Sequence, residues 1–153
     1  MIPARGWPIH AAMTERLARC ACGALQATCQ GEPARVSMCH CEDCQRRTGS
    51  AFSVAVFYPS DAVTTAGASK SYSRPSLAGP PVTFHFCPEC GSSVWWEAAR
   101  MPGRIGVALG AFADPDFPAP EQSVWTRDKH RWIALPADMV THEVTSAPRP
   151  PQA

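Results

Sequence analysis

Seven of the eight cysteines in this 153-residue chain lie in three short clusters, at residues 20–22, 39–44 and 87–90. Such clustering is typical of metal binding rather than of disulfide bonding. Zinc takes four ligands tetrahedrally at Zn–S distances of ~2.3 Å, which places ligand sulfurs ~3.8 Å apart. Tight Cys-x-Cys and Cys-x-x-Cys segments can supply such sulfurs. The spacing therefore predicts thiolate-bound zinc, although iron also accepts thiolate-rich tetrahedral sites.

Seven clustered thiols cannot fill two four-sulfur sites, so the simplest partition is four plus three. The first group, called here the four-sulfur group, is predicted to form a closed structural zinc site and consists of Cys20, Cys22, Cys87 and Cys90. The second, the thiol trio, consists of Cys39, Cys41 and Cys44. Three ligands leave one coordination position open, which is the mark of catalytic zinc. A structural site beside three idle thiols would give the same sequence, but idle clustered thiols are prone to oxidation.

Two residues near these clusters have alternative interpretations. Cys29 shares a strand face with Leu25 and Ala27, so we expect it in the core as a small apolar side chain. The alternative is that Cys29 completes the second site as a fourth ligand. His40 lies between two cysteines of one strand face, so we expect it to point away from their metal and to support the site by hydrogen bonding rather than ligation.

The elements that must position these thiols are mainly short β-strands. Alternating apolar residues predict strands over residues 25–30, 51–58 and 104–111, with shorter ones at 83–86 and 93–96. In the 104–111 segment one face carries only Gly106, Ala108 and Gly110, which predicts that another group approaches the backbone there. Helix signals are limited to a turn at residues 60–62 and one after Cys41. We predict a single mainly β domain.

Composition limits the functional classes. The chain carries 14 basic and 13 acidic residues, so its net charge of +1 gives no strong field for nucleic acid. No apolar run is long enough for a membrane helix, and the N-terminus does not resemble a secretory signal. We therefore expect a soluble cytoplasmic protein with a variable extension at residues 1–16, a zinc domain at 17–145 and an unordered proline-rich tail at 146–153.

The motifs around the cysteines resemble one known family. They are Cys-Ala-Cys-Gly at 20–23, Cys-His-Cys-Glu-Asp-Cys-Gln-Arg-Arg-Thr-Gly-Ser at 39–50, Phe-Cys-Pro-Glu-Cys-Gly at 86–91, Gly-Ala-Phe-Ala-Asp-Pro at 110–115 and Val-Trp-Thr-Arg-Asp-Lys-His-Arg-Trp at 124–132. In order and spacing, from about residue 19 to 143, the chain resembles the glutathione-dependent formaldehyde-activating enzyme and centromere protein V family. One departure is Ser123, at a place where family members often carry a histidine.

The resemblance implies a fold of the β-tent type with two zinc ions per chain. One would be structural, on the four-sulfur group, and the other catalytic, on the thiol trio, where it could be labile. The founding activity joins glutathione and formaldehyde into S-hydroxymethylglutathione, and the family is commonly classed with carbon–sulfur lyases.

The leading hypothesis is therefore a zinc enzyme that forms or cleaves a carbon–sulfur bond on a small thiol adduct. The catalytic residues would be Cys39, Cys41 and Cys44, while Arg46 and Arg47 would bind a substrate carboxylate, since guanidinium matches carboxylate in a fork. Glu42 and Asp43 could carry protons, but exposed turn acids are the plainer interpretation.

Two alternatives stay open at this point. One is a binding module without turnover, which would present Trp95, Trp96, Trp125 and Trp132 to a protein or nucleic-acid partner, although such residues more often form a core or pocket walls. The other is a redox switch, in which the thiol trio releases zinc on oxidation.

Overall fold

The computed structural model describes residues 14–146, so most of the predicted N-terminal extension and all but the first residue of the predicted tail lie outside the described residues. The strands are β1 (Glu15–Arg19), β2 (Gln26–Gln30), β3 (Arg35–Cys39), β4 (Ser53–Pro59), β5 (Val63–Ala66), β6 (Lys70–Ser76), β7 (Gly79–Phe86), β8 (Ser93–Ala98), β9 (Arg104–Ala108), β10 (Gln122–Val124) and β11 (Val140–Thr141). One α-helix, α1 (Glu42–Thr48), occurs in this part of the chain. The prediction of a mainly β domain is confirmed.

The strands form two sheets. The smaller sheet has the order β1-β2-β5 and is antiparallel. The larger sheet has the order β11-β10-β3-β4-β9-β8-β7-β6 and is antiparallel except around β10, which runs parallel to both β3 and β11. No helix in the described part of the chain has the length and hydropathy to cross a membrane.

Strand β4 lies near the middle of the larger sheet and has two buried faces. Val56 and Tyr58 point into the main core, which they share with Ala18 and Ala27 of the smaller sheet. Ala55 belongs to a second apolar cluster with Phe84 and Trp96, against which Phe57 packs. Because successive side chains of a strand alternate between faces, the larger sheet separates these two clusters. The second cluster forms one wall of the cavity described below.

The strand predicted over residues 104–111 is shorter than expected. β9 ends at Ala108, and Leu109–Phe112 form a 3-10 turn, so Leu109 and Ala111 reach the core from that turn rather than from a strand. The predicted close approach to a glycine is confirmed at Gly106, where an added Cβ would lie 2.5 Å from indole atoms of Trp96. At Gly110 an added Cβ would meet nothing within 4 Å.

The difference in free space at Gly106 and Gly110 predicts that substitutions at these two positions change the stability by different amounts. Gly106→Ala forces the Trp96 indole away from β9, and overpacking of this kind costs ~1–3 kcal/mol of unfolding free energy. Gly110→Ala serves as the matched control and should change the unfolding free energy by less than ~0.5 kcal/mol. Urea denaturation of the zinc-loaded protein, followed by tryptophan fluorescence, measures both. Equal effects of the two substitutions would show that Trp96 does not lie against Gly106.

Candidate functional site

The four-sulfur group comes together from two turns that are distant in sequence. Its four Sγ atoms all lie within 4.8 Å of one another, with 3.5 Å between Cys20 and Cys22 and 3.6 Å between Cys22 and Cys87. Cys20 and Cys87 are buried, whereas Cys22 and Cys90 are exposed. These separations fit the ~3.8 Å between sulfurs around a tetrahedral zinc. The residues present therefore fit the predicted closed site.

Backbone hydrogen bonds shape the two turns that supply these sulfurs. The Leu25 amide donates to the Cys20 sulfur at 3.1 Å, and the Ala21 amide donates to the Ser92 hydroxyl at 3.2 Å, which joins the two turns. Gly91 has a φ of 74°, a left-handed conformation that glycine adopts without strain. Contacts with the hydroxyl and amide of Ser92 lower the pKa of Cys90 to about 5. These hydrogen bonds fix the positions of the two turns relative to each other.

The thiol trio is placed by the end of β3 and the start of α1. Cys39 is the last residue of β3, Cys41 is the N-cap of α1, and Cys44 lies in the first turn of the helix. The Cys44 amide donates to the Cys41 sulfur at 3.4 Å, so this sulfur satisfies a helix N-terminal amide. The three Sγ atoms lie within 4.8 Å of one another. In the described part of the chain no further histidine, cysteine or carboxylate joins this group.

The trio cannot hold three negative charges by itself. Hydrogen bonds from the Cys39 and Cys44 thiols lower the pKa of Cys41 to about 2, and the same contact with Cys41 raises the pKa of Cys39. One sulfur therefore takes the charge while a neighbour keeps its proton. A divalent cation among the three removes this conflict, because metal binding displaces the thiol protons. The donor set fits zinc with one ligand position left to an outside group.

All three sulfur residues line one side of a cavity of about 140 Å³ between α1 and the larger sheet. Its walls are largely apolar and include Phe57, Phe84 and Trp96. The polar residues Ser37, Gln122 and Ser146 are buried beside it, and the Gln122 amide donates to both serine hydroxyls, at 2.9 and 3.3 Å. The cavity thus places an apolar enclosure directly beside the sulfurs.

Arg47 brings a buried positive charge to the trio. Its guanidinium lies 4.8 Å from the ring centre of Phe84 and 4.9 Å from that of Trp96, and it donates to the Ser53 hydroxyl at 2.7 Å. Burial lowers the pKa of Arg47, and the charges of the Cys44 and Cys39 sulfurs oppose that shift. Arginine remains protonated in proteins. Arg47 is therefore a fixed cation that faces anionic sulfur.

The two arginines that we predicted as substrate ligands lie in different places. Arg47 lines the cavity, but Arg46 does not: its side chain is exposed and pairs with Glu42 at 2.7 Å, and both residues border a separate surface groove. Consecutive residues of a helix point in directions about 100° apart, which sends only one of them toward the sheet. The expected role of Arg46 in the cavity has no geometric support.

The structure also tests the expectations for Cys29, for His40 and for the tryptophans, and it confirms only some of them. Cys29 is fully buried in the main core, where burial raises its pKa to about 11, and it joins neither sulfur group. His40 is fully buried and does not join the trio, as expected. Neither of its ring nitrogens has a hydrogen-bond partner, so the predicted hydrogen-bonding support from the ring is absent.

The tryptophans that we considered as a binding surface lie in different places. Trp96 and Trp125 line the cavity, whereas Trp132 is 74% exposed. Ser123 is fully buried with no partner for its hydroxyl.

The cavity residues that sequence reasoning missed include the arginines Arg74 and Arg100. Arg74 is on β6 and forms an ion pair with Asp43 of α1 at 2.9 Å, and Arg100 follows β8. Both line the cavity with the trio. Neither arginine is near a cysteine cluster in sequence, so only the pairing of β6, β7 and β8 brings them to the site.

Comparisons with known proteins found a matching family model and a similar solved structure. The family model described as glutathione-dependent formaldehyde-activating enzyme matches residues 15–128. A crystal structure of a Rhodobacter sphaeroides protein is similar, with a TM-score of 0.51 and 21% identity, over 65% of this chain and 91% of that chain. At this identity the likeness shows a shared fold alone. Among curated proteins no match was found.

The two sulfur groups should respond differently to loss of a ligand. Cys41→Ser is expected to lower the zinc content from two ions per chain to one while the chain stays folded. Cys87→Ser removes a ligand that joins distant turns, and structural zinc contributes ~10 kcal/mol or more to folding in small domains. We expect this variant to lose its cooperative melting transition. Elemental analysis of the dialysed protein and circular dichroism test both statements, and full zinc content in Cys41→Ser would contradict the assignment.

Proposed function

Because the chain belongs to the family of glutathione-dependent formaldehyde-activating enzymes, we propose that it is a zinc-dependent enzyme that forms or cleaves a carbon–sulfur bond. Its substrates would be a small thiol and a carbonyl compound, with glutathione and formaldehyde giving S-hydroxymethylglutathione as the leading pair. The carbon–sulfur lyase class and a cytoplasmic location, where reducing conditions keep the thiols free, belong to this proposal.

The proposed reaction is an addition with no change of oxidation state. The thiol sulfur forms a bond to the carbonyl carbon, the carbon–oxygen double bond becomes single, and the thiol proton ends on the oxygen. A zinc ion held by Cys39, Cys41 and Cys44 would have one position for an incoming thiol, whose pKa it would lower so that the thiolate is available at neutral pH. The reverse sequence cleaves the adduct.

The chain's own residues set the charge at this site. Three thiolates and a divalent cation together carry a net charge of −1, which weakens the attraction for another anionic sulfur. Arg47 opposes this charge because its guanidinium interacts with the Cys44 and Cys39 sulfurs. The rings of Phe84 and Trp96 hold the guanidinium in place. In an apolar surrounding such a cation acts more strongly than it would in water.

Other cavity residues exclude water and handle the proton. Phe57, Phe84 and Trp96 form an apolar wall, which limits competition from water at the carbonyl carbon. Asp43 is the one carboxylate lining the cavity in the described part of the chain, and we assign the transfer of the thiol proton to it. Its ion pair with Arg74 fixes the carboxylate between α1 and β6.

The observation that carries this proposal is a sulfur trio that lines a largely apolar cavity with no fourth ligand from residues 14–146. Exchange NMR with carbon-13 formaldehyde measures the rate at which glutathione and its hydroxymethyl adduct interconvert. We expect the zinc-loaded protein to raise this rate above the spontaneous one and Cys41→Ser to abolish the increase. An unchanged rate with fully zinc-loaded protein would reject the proposed reaction.

The two neighbouring arginines give a second test. Arg47→Ala removes the cation beside the sulfurs, and loss of such a partner of metal ligands typically costs ~10–100-fold in activity or metal affinity. Arg46→Ala removes an exposed side chain outside the cavity, and we expect less than a ~2-fold change because exposed ion pairs contribute little. Steady-state kinetics and zinc affinity measure both variants. Equal losses of activity or zinc affinity in the two variants would show that Arg46 and Arg47 have the same role, which would contradict their positions in the structure.

A further inference from the structure

The cavity beside the thiol trio carries an excess of positive charge. Arg35, Arg47, Arg74 and Arg100 line it together with one carboxylate, Asp43, among the residues that the structure describes. The sulfurs with a divalent cation would leave only one negative charge. A cavity with this balance favours an anionic ligand, and guanidinium groups bind carboxylates through paired hydrogen bonds.

The four arginines differ in what already binds them. Arg35 lies 3.8 Å from Glu121, and Arg74 lies 2.9 Å from Asp43. Arg47 is held by Ser53 and two aromatic rings. The guanidinium of Arg100, within residues 14–146, has neither an ion-pair nor a hydrogen-bond partner, although the residue is half-buried. Arg100 is therefore the cavity cation whose charge is left for a ligand.

Strand register shows that the trio and this cation lie toward different ends of β4. Cys39 pairs with Ser53 on β4, and Tyr58, at the other end of β4, pairs with Ile105, which pairs with Glu97 on β8. The step from Ser53 to Tyr58 spans roughly 17 Å at ~3.3 Å per residue. Arg100 follows Glu97 in the chain, beyond the end of β8. The sulfurs and Arg100 thus lie toward opposite ends of the cavity.

Resting on the proposed function, we propose that Arg100 binds a carboxylate at the distal end of the thiol substrate and selects for substrate length. In a thiol of tripeptide size such as glutathione, the sulfur is on the central residue, so each terminal carboxylate lies about one residue (at most ~3.6 Å of chain) farther from the sulfur than the carboxylate of a single mercapto-acid does. Such a thiol therefore extends farther from the sulfurs toward Arg100 than a single mercapto-acid can. The apolar wall of Phe57, Phe84 and Trp96 would lie along the middle of such a ligand. Arg100 is then a specificity-determining residue for thiols that carry a distant carboxylate.

The test uses calorimetric titration of the zinc-loaded full-length chain with four compounds. Glutathione has the required length and carboxylates, glutathione diethyl ester lacks the carboxylates, cysteine lacks the length, and S-methylglutathione lacks the reactive thiol. Each is titrated into wild type, Arg100→Ala, Arg100→Lys and the control Arg131→Ala, which removes an exposed arginine that does not line this cavity.

We expect Arg100→Ala to weaken glutathione binding by about tenfold or more, because the carboxylate loses hydrogen bonds to a charged group. The substitution should leave binding of the diethyl ester and of cysteine unchanged, and Arg100→Lys should recover part of the loss because it keeps the positive charge. Arg131→Ala should bind every compound as wild type does. Equal weakening of glutathione and its ester, or no weakening of either, would overturn the inference.

The same titrations separate this inference from the proposed reaction. If Arg100→Ala weakens the binding of S-methylglutathione but the protein does not catalyse adduct formation from glutathione, the carboxylate site is supported and the proposed reaction is rejected. If the protein catalyses adduct formation but Arg100→Ala changes the binding of no ligand, the reaction is supported and the carboxylate site is rejected.

Discussion

Mutual repulsion of crowded thiolates is the constraint on which the rest of this structure depends. The fold holds seven sulfurs in two groups, each with its Sγ atoms within 4.8 Å of one another. At such distances several deprotonated sulfurs repel strongly unless a cation lies among them. The four-sulfur group has enough ligands for a tetrahedral ion and joins the turn after β1 to the turn after β7. The trio is one ligand short, and this difference underlies the structural and catalytic roles that we propose for the two groups.

Helix α1 connects the trio to the cavity. It is only seven residues long, yet it carries Cys44, the buried cation Arg47 and the carboxylate Asp43. Arg47 packs on Phe84 and Trp96, and Asp43 pairs with Arg74 on β6, so both contacts hold the helix against the larger sheet. Trp96 in turn lies against Gly106, where no other residue would leave room for the indole. The position of the sulfurs and the shape of the cavity are therefore set by one continuous set of contacts.

The positive charges of the cavity have distinct partners. Arg47 faces the sulfurs, Arg74 is bound to Asp43, and Arg35 lies near Glu121. Pairing of this kind fixes the side chains and reduces the cost of burying their charge. Arg100 has no such partner in the described part of the chain and is available to a ligand. In the proposed function the site therefore combines sulfur chemistry at one end with anion recognition at the other.

The sequence by itself determined which sulfurs are neighbours within each cluster. Cys39, Cys41 and Cys44, and each of the two pairs in the four-sulfur group, are close in sequence and therefore close in any fold, whereas the meeting of the two pairs depends on the tertiary structure. Strand alternation predicted the buried face of Leu25, Ala27 and Cys29, and a glycine-rich face predicted close packing at Gly106. These are local properties, and the structure places the corresponding residues as expected.

Only the tertiary structure decided which side chains surround the trio. Arg46 and Arg47 are adjacent in sequence, but the helix turns one toward solvent and the other toward the sheet. Arg74 and Arg100 enter the cavity through the pairing of β6, β7 and β8, which no local pattern specifies. The burial of His40, whose ring nitrogens have no hydrogen-bond partner, also could not be predicted from spacing. Contacts between residues far apart in the chain depend on sheet order and register, and these follow from the packing of the whole domain rather than from any one segment.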